Sequence, residues 1–441
     1  MYKPSMFNYS FINDDKLILY NSFKGTESII EVDSSKVKIV QEWLTRESID
    51  IDNEDFRKLC EYGFFVQEDV NEKNLKNLMY AQRMCEPILD LTILTTKECN
   101  FRCKYCYLDF EHIFISPDVQ TGIVKFIQKN IYKYTMVRLS WFGGEPLLGI
   151  DAIVNISKKV QEICKRAKKQ FYASITTNGY LLTPTNIEKL VKCDVTSYVI
   201  TLDGIEETHN KTRVLKSGGP TYDTIIKNLL YIKNNIINSD IRVIIRNNFT
   251  SKMIPILNDI YNFYNEKFGD DRRFSLFVKP VSDTGKDAIQ PIKDSLLSND
   301  EMNNIMYMFT KIVKKDGIKF QSNYSDLEPG GFTCPATTLG KYSIGPSGIV
   351  SKCDDADDSL KIGFIDKNGN IIRCGTREED WVTTCFEKNS ECENCFFSAC
   401  CFHGTCPIDN INKCRNKCTA KLDEVKNLIL LYIKSNKIDR I

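Results

Sequence analysis

Residues 88–95, Ile-Leu-Asp-Leu-Thr-Ile-Leu-Thr, run through Thr96-Lys-Glu into Cys99-Asn-Phe-Arg-Cys103-Lys-Tyr-Cys106. Seven of the first eight, all but Asp90, are aliphatic or β-branched, the composition of a buried strand. The three cysteines after it are spaced CxxxCxxC. A cubane [4Fe–4S] cluster has four irons, so three protein thiolates leave one iron open to a substrate. Ferredoxins supply four thiolates and only transfer electrons. Structural zinc is the competing reading, but such sites use CxxC pairs with a fourth nearby ligand. The motif therefore predicts a substrate-binding cluster just beyond a strand.

Downstream the pattern alternates. Strands are expected at 88–95, 137–142, 172–177, 198–202, 242–246 and 274–278. Helices are expected between them, at about 117–133, 151–169, 185–193, 222–238 and 252–268. Six such repeats imply a parallel sheet with right-handed crossovers. An incomplete α/β barrel is expected rather than an open doubly wound sheet, although periodicity alone allows both.

Upstream, residues 16–21 (KLILYN) and 28–32 (SIIEV) read as short strands around a Lys24-Gly25 turn. Ser34 or Ser35 is expected to cap a helix, KVKIVQEWL. A second helix at about 53–62 stops at Gly63, and residues 64–66 return as a strand. A hairpin with helices is the pattern of a winged helix. A charged helical linker follows near residues 70–83, and an apolar helix is expected at 422–435.

The chain has 441 residues, with 59 basic and 58 acidic side chains and a net charge of +1. That balance argues against a general nucleic-acid binder. The start, MYKPSMFNYS, lacks the basic and apolar regions of a signal peptide. No apolar run is long enough to span a bilayer, so a cytoplasmic location without membrane partners is expected. Eighteen cysteines are then anomalous. Clustered cysteines in a reducing compartment hold metal more often than disulfides. Three lie at 99–106 and eleven between Cys334 and Cys418. Cys60, Cys85, Cys164 and Cys193 are scattered and read as small buried hydrophobes.

Over residues 88–281 the sequence resembles the radical S-adenosylmethionine (SAM) superfamily. Cys99, Cys103, Cys106 and the aromatic Tyr105 match its signature. The resemblance implies a partial (β/α)6 barrel. It also implies that the open iron chelates the amino and carboxylate groups of SAM. Reductive cleavage then gives a 5′-deoxyadenosyl radical that abstracts a substrate hydrogen. An external electron donor such as flavodoxin or ferredoxin is implied too. Gly143-Gly144-Glu145-Pro146, after the second strand, matches the segment that contacts the SAM amino group. Glycines let carbonyls approach an ammonium, and Glu145 adds charge. Thr177 and Asn178 end the third strand, and Thr201 and Asp203 the fourth, followed by His209 and Arg213. By the resemblance Thr177, Asn178, Thr201, Asp203 and Arg213 are expected to contact SAM, with Arg213 as a bidentate carboxylate clamp. Taken singly, each polar residue could instead be a strand-end cap. Together they occupy the strand ends where barrel enzymes place their sites.

The second cysteine group resembles the SPASM extension of these enzymes, which holds auxiliary [4Fe–4S] clusters. Cys334, thirteen residues, Gly348, four residues and Cys353 come first. Cys392, Cys395, Cys401, Cys406, Cys414 and Cys418 follow. The family spacing is CxxCx5Cx3C, whereas four residues separate Cys401 from Cys406, and Cys400 makes the register ambiguous. By resemblance, Cys334, Cys353 and Cys406 hold a first auxiliary cluster, completed by Cys374, Cys385 or Cys414 or left with an open iron. Cys392, Cys395, Cys401 and Cys418 hold a second. One or two structural zincs are the alternative. Asp354 resembles the catalytic base of sulfatase-maturing relatives, while Asp355, Asp357 and Asp358 read as a solvated acidic loop.

The implied organisation is a winged-helix-like peptide-recognition domain and linker at 1–84, the barrel at 88–285 and a helical spacer at 286–330. The SPASM domain follows at 331–422 and a closing helix at 423–441. The first segment resembles the leader-recognition element of ribosomal-peptide maturases, whose physical mode is strand addition. A winged helix that merely packs on the barrel is the plainer alternative. The expected function is oxidation of a precursor peptide carrying a leader, with a thioether or carbon–carbon crosslink as product. A formylglycine-forming sulfatase maturase and a non-enzymatic iron–sulfur redox regulator are the alternatives. The GGEP and strand-end constellation argues against the regulator.

Overall fold

Short apolar strands joined by aspartate and glycine turns build the first part of the chain. The computed structural model describes every residue except 239, 282, 284–286, 313–316, 322, 384–389, 403–405 and 412–421. Two compact units are present. One comprises Met1–Glu86, Ser322–Leu339 and Glu379–Ile441, the other Pro87–Gln321 and Gly340–Glu378.

In the first unit the strands are β1 (Tyr2–Pro4), β2 (Asn8–Asn13), β3 (Lys16–Asn21), β4 (Gly25–Val32) and β5 (Phe65–Gln67). The helices are α1 (Val37–Thr45), α2 (Glu54–Glu61) and α3 (Glu72–Met84). Asp14 and Asp15, at φ 47° and 62°, make the β2–β3 turn, where short polar side chains tolerate the left-handed region. Asn53 caps α2 by accepting the amides of Asp55 at 2.7 Å and Phe56 at 3.2 Å. The serine cap expected on α1 does not form. Lys36 is the N-cap residue, because Asp33 captures both the Ser35 amide at 2.9 Å and its hydroxyl at 2.7 Å.

In the sheet β4 lies between β3 and the short strand Asp439–Arg440, which runs parallel to it, and β2 lies beyond β3. Both faces of β3 and β4 are buried, which is why KLILYN shows no polar alternation. Leu17, Leu19, Ile30 and Val32 pack with Val40, Trp43, Phe56 and Leu59. Ile18, Tyr20 and Ile29 pack with Phe397, Cys400, Val425 and Ile429. The last two come from the helix Leu422–Ser435.

In the second unit β6 (Ile88–Leu94), β7 (Met136–Phe142), β8 (Gln170–Thr177), β9 (Val195–Thr201), β10 (Arg242–Phe249) and β11 (Phe274–Pro280) are all parallel. Each lies beside its sequence neighbour. A doubly wound sheet reverses its order at a switch point. This strictly sequential order is that of a partial barrel. Helices α4 (Pro117–Asn130), α5 (Ile150–Ala167), α6 (Pro184–Val191), α7 (Glu206–Thr212), α8 (Tyr222–Asn235) and α9 (Leu257–Phe268) connect the strands. Ser116 and Thr183 cap α4 and α6, each followed by proline at the first helical position, as helix starts favour.

Leu89, Leu91, Ile93, Val137, Leu139 and Trp141 are buried on one sheet face. The residues between them, Asp90, Thr92, Arg138 and Ser140, occupy the other. There Arg138 meets Asp90 at 3.1 Å, and Lys341 reaches Asp90 at 3.2 Å and Thr92 at 2.6 Å. Residues 341–373 of the cysteine-rich region extend this sheet. Lys341–Ile344 pairs parallel with β6, and three short antiparallel strands follow, Ile349–Ser351, Gly363–Ile365 and Ile371–Arg373.

Candidate active site

The loop beyond β6 is fixed through its backbone. The amides of Arg102, Lys104 and Lys216 donate to the carbonyls of Val214, Thr212 and Asn100 at 2.9, 3.0 and 2.8 Å. Cys99 is buried, and Cys103 and Cys106 are half-buried. The Cys99 sulfur accepts the Phe101 amide at 3.3 Å and lies 3.8 Å from Asn178 Nδ2. Burial pushes the Cys99 thiol up to about 12 and the Cys103 thiol up to about 11, so ligation must displace their protons. Among the described residues no three Cys, His, Asp or Glu side chains converge as one metal ion requires. A cluster, whose ligands bind different irons, does not need that convergence.

The GGEP segment supports this loop from β7. A Cβ on Gly143, at φ 130°, would lie 2.4 Å from the Thr96 carbonyl oxygen, and one on Gly144 2.2 Å from that of Glu98. The amides of Gly144 and Glu145 donate to those same carbonyls at 3.0 and 2.9 Å. The glycines therefore admit the cysteine loop itself. Glu145 is fully buried. Its carboxylate accepts the Thr177 hydroxyl at 2.7 Å and the amides of Asn178 at 2.8 Å and Leu147 at 3.0 Å. Burial still pushes its carboxyl above the usual range. Pro146 accepts the Thr95 hydroxyl at 3.0 Å. GGEP thus ties β6, β7 and β8 together at their carboxyl ends.

Thr201, Asp203, His209 and Arg213 are buried at the end of β9 and along α7. Asp203, pushed up by burial, accepts the Tyr105 hydroxyl through one oxygen and the Asn248 amide at 3.1 Å through the other. Arg213 donates to the Tyr105 oxygen at 2.8 Å and lies 5.6 Å above the Phe101 ring. Its Nε is buried and has no hydrogen-bond partner among the described residues. An orphaned guanidinium N–H is what a ligand carboxylate would satisfy. His209 accepts the Asp203 amide at 3.1 Å and contacts the Thr221 hydroxyl at 3.0 Å. Burial holds it neutral, with a pKa lowered to about 2.

Three thiols on a fixed loop beside an unsatisfied guanidinium fit a three-cysteine cluster with a carboxylate ligand on its open iron. Sequence reasoning placed Asp203 among the ligand contacts but missed its bonds to Tyr105 and Asn248. It also missed the charged face of β6 and β7. The alternation of Asp90 and Thr92 with leucine was the available signal.

The remaining cysteines divide between the units. Cys353 is half-buried and Cys374 exposed in the second unit. Asp354 is half-buried there, and its carboxyl is pushed up by burial and then by Asp355. Asp355, Asp357 and Asp358 are exposed. In the first unit Cys334, Cys392 and Cys395 are half-buried, Cys400 and Cys401 buried, and Cys406 exposed. Cys400 lies 3.2 Å from the Tyr20 hydroxyl inside an apolar cluster. Burial lowers the pKa of Lys76 on α3, and the sulfurs of Cys401, Cys392 and Cys395 oppose that shift. Cys385, Cys414 and Cys418 lie outside the described residues. Of the four scattered cysteines, Cys164 and Cys193 are buried and Cys60 half-buried, but Cys85 is exposed, because it sits at the end of α3.

Residues 93–260 match the model of the radical SAM superfamily. The chain is 23% identical over 380 residues to the radical SAM cyclopropyl synthase TigE of Paramaledivibacter caminithermalis, covering 78% of this chain and 74% of that one. It is 24% identical over 356 residues to the serine-type anaerobic sulfatase-maturating enzyme of Bacteroides thetaiotaomicron, covering 71% and 81%. The structure of Streptococcus suis SuiB bound to precursor peptide SuiA superposes with a TM-score of 0.52 at 15% identity, over 92% of this chain and 96% of that one. No helix among the described residues is long and apolar enough to cross a membrane. The chain carries a radical SAM domain, which implies a [4Fe–4S] cluster and SAM, and it is a radical SAM enzyme related to peptide and sulfatase maturases.

Proposed function

We propose that the enzyme oxidises a ribosomally made precursor peptide, forming a thioether or carbon–carbon crosslink. One observation carries this reading. The first 86 of 441 residues belong to a unit with its own antiparallel sheet. SuiB, which binds a precursor peptide, aligns over 92% of the chain. The 8% left out is too little to hold that N-terminal segment. A separate sheet with one edge, β2, unpaired among the described residues and the other, β4, covered by two residues suits leader recognition by strand addition.

Bound at the three-cysteine loop, the cluster and SAM supply a hydrogen-abstracting radical. This chain's own residues do the rest. Gly143, Gly144 and Glu145 hold the loop, and Arg213 offers Nε to the SAM carboxylate. Thr177, Asn178 and Thr201 line the neighbouring strand ends. Joining a C–H carbon to sulfur or carbon removes two electrons and two protons in all. One hydrogen atom leaves with the radical. The second electron would need an acceptor, which an auxiliary cluster would supply, and the second proton a base, for which Asp354 is our candidate. Cys334, Cys353 and Cys406, and separately Cys392, Cys395, Cys401 and Cys418, are our candidate auxiliary ligands, with Cys414 in reserve. The Tyr20 contact of Cys400 favours Cys401 as the ligand. A flavodoxin or ferredoxin is the proposed electron donor.

The sulfatase-maturase reading stands beside this one, on 24% identity over 356 residues. One experiment separates them. The reconstituted enzyme is given SAM, a reductant and either a neighbouring short open reading frame's peptide or a sulfatase-motif peptide. Loss of two hydrogens with a crosslink in the fragment spectrum supports the proposal. An aldehyde formed only on the sulfatase peptide overturns it.

A further inference from the structure

The outer edge of β4 is closed by the chain itself. Asp439 and Arg440 pair, parallel, with Ile30 and Glu31. The Ile441 amide donates to the Glu31 carbonyl at 3.0 Å, and the Asp33 amide to the Ile441 carbonyl at 2.7 Å. Arg440 meets Glu31 at 3.1 Å, and Tyr62 donates its hydroxyl to Asp439. Ile441 enters the cluster built by Ile30 and Val32 of β4, Val40 and Trp43 of α1 and Phe56 of α2. This is strand addition with all its parts: main-chain pairing, an ion pair and an apolar pocket behind the edge.

The closure is also slight. The strand is two residues long against eight in β4. Asp439 and Arg440 are exposed, and Ile441 is the one buried side chain of the segment 439–441. Arg440 itself is exposed and shares the largely buried Glu31 carboxylate with Lys16, which lies 2.8 Å from it, so this ion pair adds little, and short peripheral pairing opens more readily than a central ladder.

We infer that the β4 edge, with its pocket between β4, α1 and α2, is a docking site for an extended peptide bearing a basic residue followed by a bulky aliphatic one, and that residues 438–441 occupy it as a built-in competitor. This rests on the peptide reading above for its partner class. The segment's own Arg440-Ile441 displays the chemistry that the edge accepts, with Glu31 for the cation and the pocket for the aliphatic chain. Tethering gives it a high effective concentration, so only a partner also held elsewhere on the enzyme displaces it. A loose peptide is thereby rejected.

The test needs neither precursor nor SAM, so its failure is distinct from failure of the peptide reading. In hydrogen exchange of the full holoenzyme, the Asp33 and Ile441 amides are expected to exchange at least about tenfold faster than those of the β3–β4 ladder. The binding probe is a fluorescein-labelled peptide of residues 435–441, Ser-Asn-Lys-Ile-Asp-Arg-Ile. A chain stopped after Lys437 should bind it at least about tenfold more tightly than the full chain does. Placing glutamate at the arginine of the probe should abolish binding. Should the shortened chain not fold, Ile441→Ala in the full chain removes the anchor, and it should speed Asp33 exchange and admit the probe. Equal exchange at Asp33 and in the ladder overturns the inference. So does equal probe binding, or none, by the full and opened chains.

Discussion

Tyr105, the residue before the third cysteine, donates its hydroxyl to Asp203 beyond the end of β9. The same oxygen receives Arg213 Nη1 at 2.8 Å and Asn248 Nδ2 at 3.0 Å. One phenol therefore joins the cysteine loop to β9, α7 and β10. It also neutralises part of the demand of a carboxylate that burial disfavours as an anion.

Tyr105→Phe keeps the ring and deletes the hub. It leaves a buried Asp203 oxygen without that donor, which costs about 1–3 kcal/mol. We expect a lower melting temperature and faster loss of iron to a chelator, with the auxiliary signals retained. An unchanged melting temperature and chelation half-life would show that the bond contributes nothing.

Changing Cys99, Cys103 and Cys106 together to alanine should abolish SAM cleavage, because no open iron remains. Iron content should drop by about one cluster, or four irons. Analysis of iron and of 5′-deoxyadenosine in the same sample checks both. Wild-type cleavage in the triple variant removes the assignment.

The barrel was legible because its signals are local. The strand at 88–95 and the helices expected from about 117 and 185 depend on neighbours in sequence, and the observed helices begin at Pro117 and Pro184. One local competition escaped: Asp33, two residues before Ser35, took its hydroxyl, which reassigned a helix start. The rest of what escaped depends on distant partners. The 341–373 strands form because residues 251 positions away offer a sheet edge at β6. GGEP was legible as a site segment, but the role of its glycines appeared only with the Thr96 and Glu98 carbonyls beside them. The N-terminal hairpin was read, yet β2 and the paired 439–440 segment were not. This last point changes an experiment. Residues 1–86 share their core with 379–441, so deleting residues 1–80 would unmake that core and test folding instead of recognition.

His209 gives a pH prediction with a definite sign. Its pKa is lowered from 6.5 to about 2 by burial and then by Arg213. The unfolded chain thus binds a proton that the folded chain refuses. Its contribution to stability is complete above about pH 6.5 and is lost as pH falls, by up to about 1.4 kcal/mol per pH unit. His209→Gln keeps an acceptor for the Asp203 amide and should flatten that slope. Urea midpoints of both proteins between about pH 5 and pH 7 decide it. Parallel slopes would exclude His209 as the source.

Asp354 is the candidate for the second proton. It follows Cys353 directly, is half-buried, and differs in this from the exposed Asp355, Asp357 and Asp358. Asp354→Asn keeps the shape and removes the base. We expect 5′-deoxyadenosine to form at close to the wild-type rate while crosslinked product falls at least about a hundredfold, the usual scale of a lost general base. A positioning role is the competing account, in which Asp354 only orients the loop carrying Cys353. Iron content separates the two. Lost iron together with lost product points to the loop, while full iron with cleavage uncoupled from product points to the base. Asp354→Glu adds a second readout, since a base shifted along its side chain should recover part of the product whereas a loop contact should not. Wild-type product yield in Asp354→Asn would dismiss both roles.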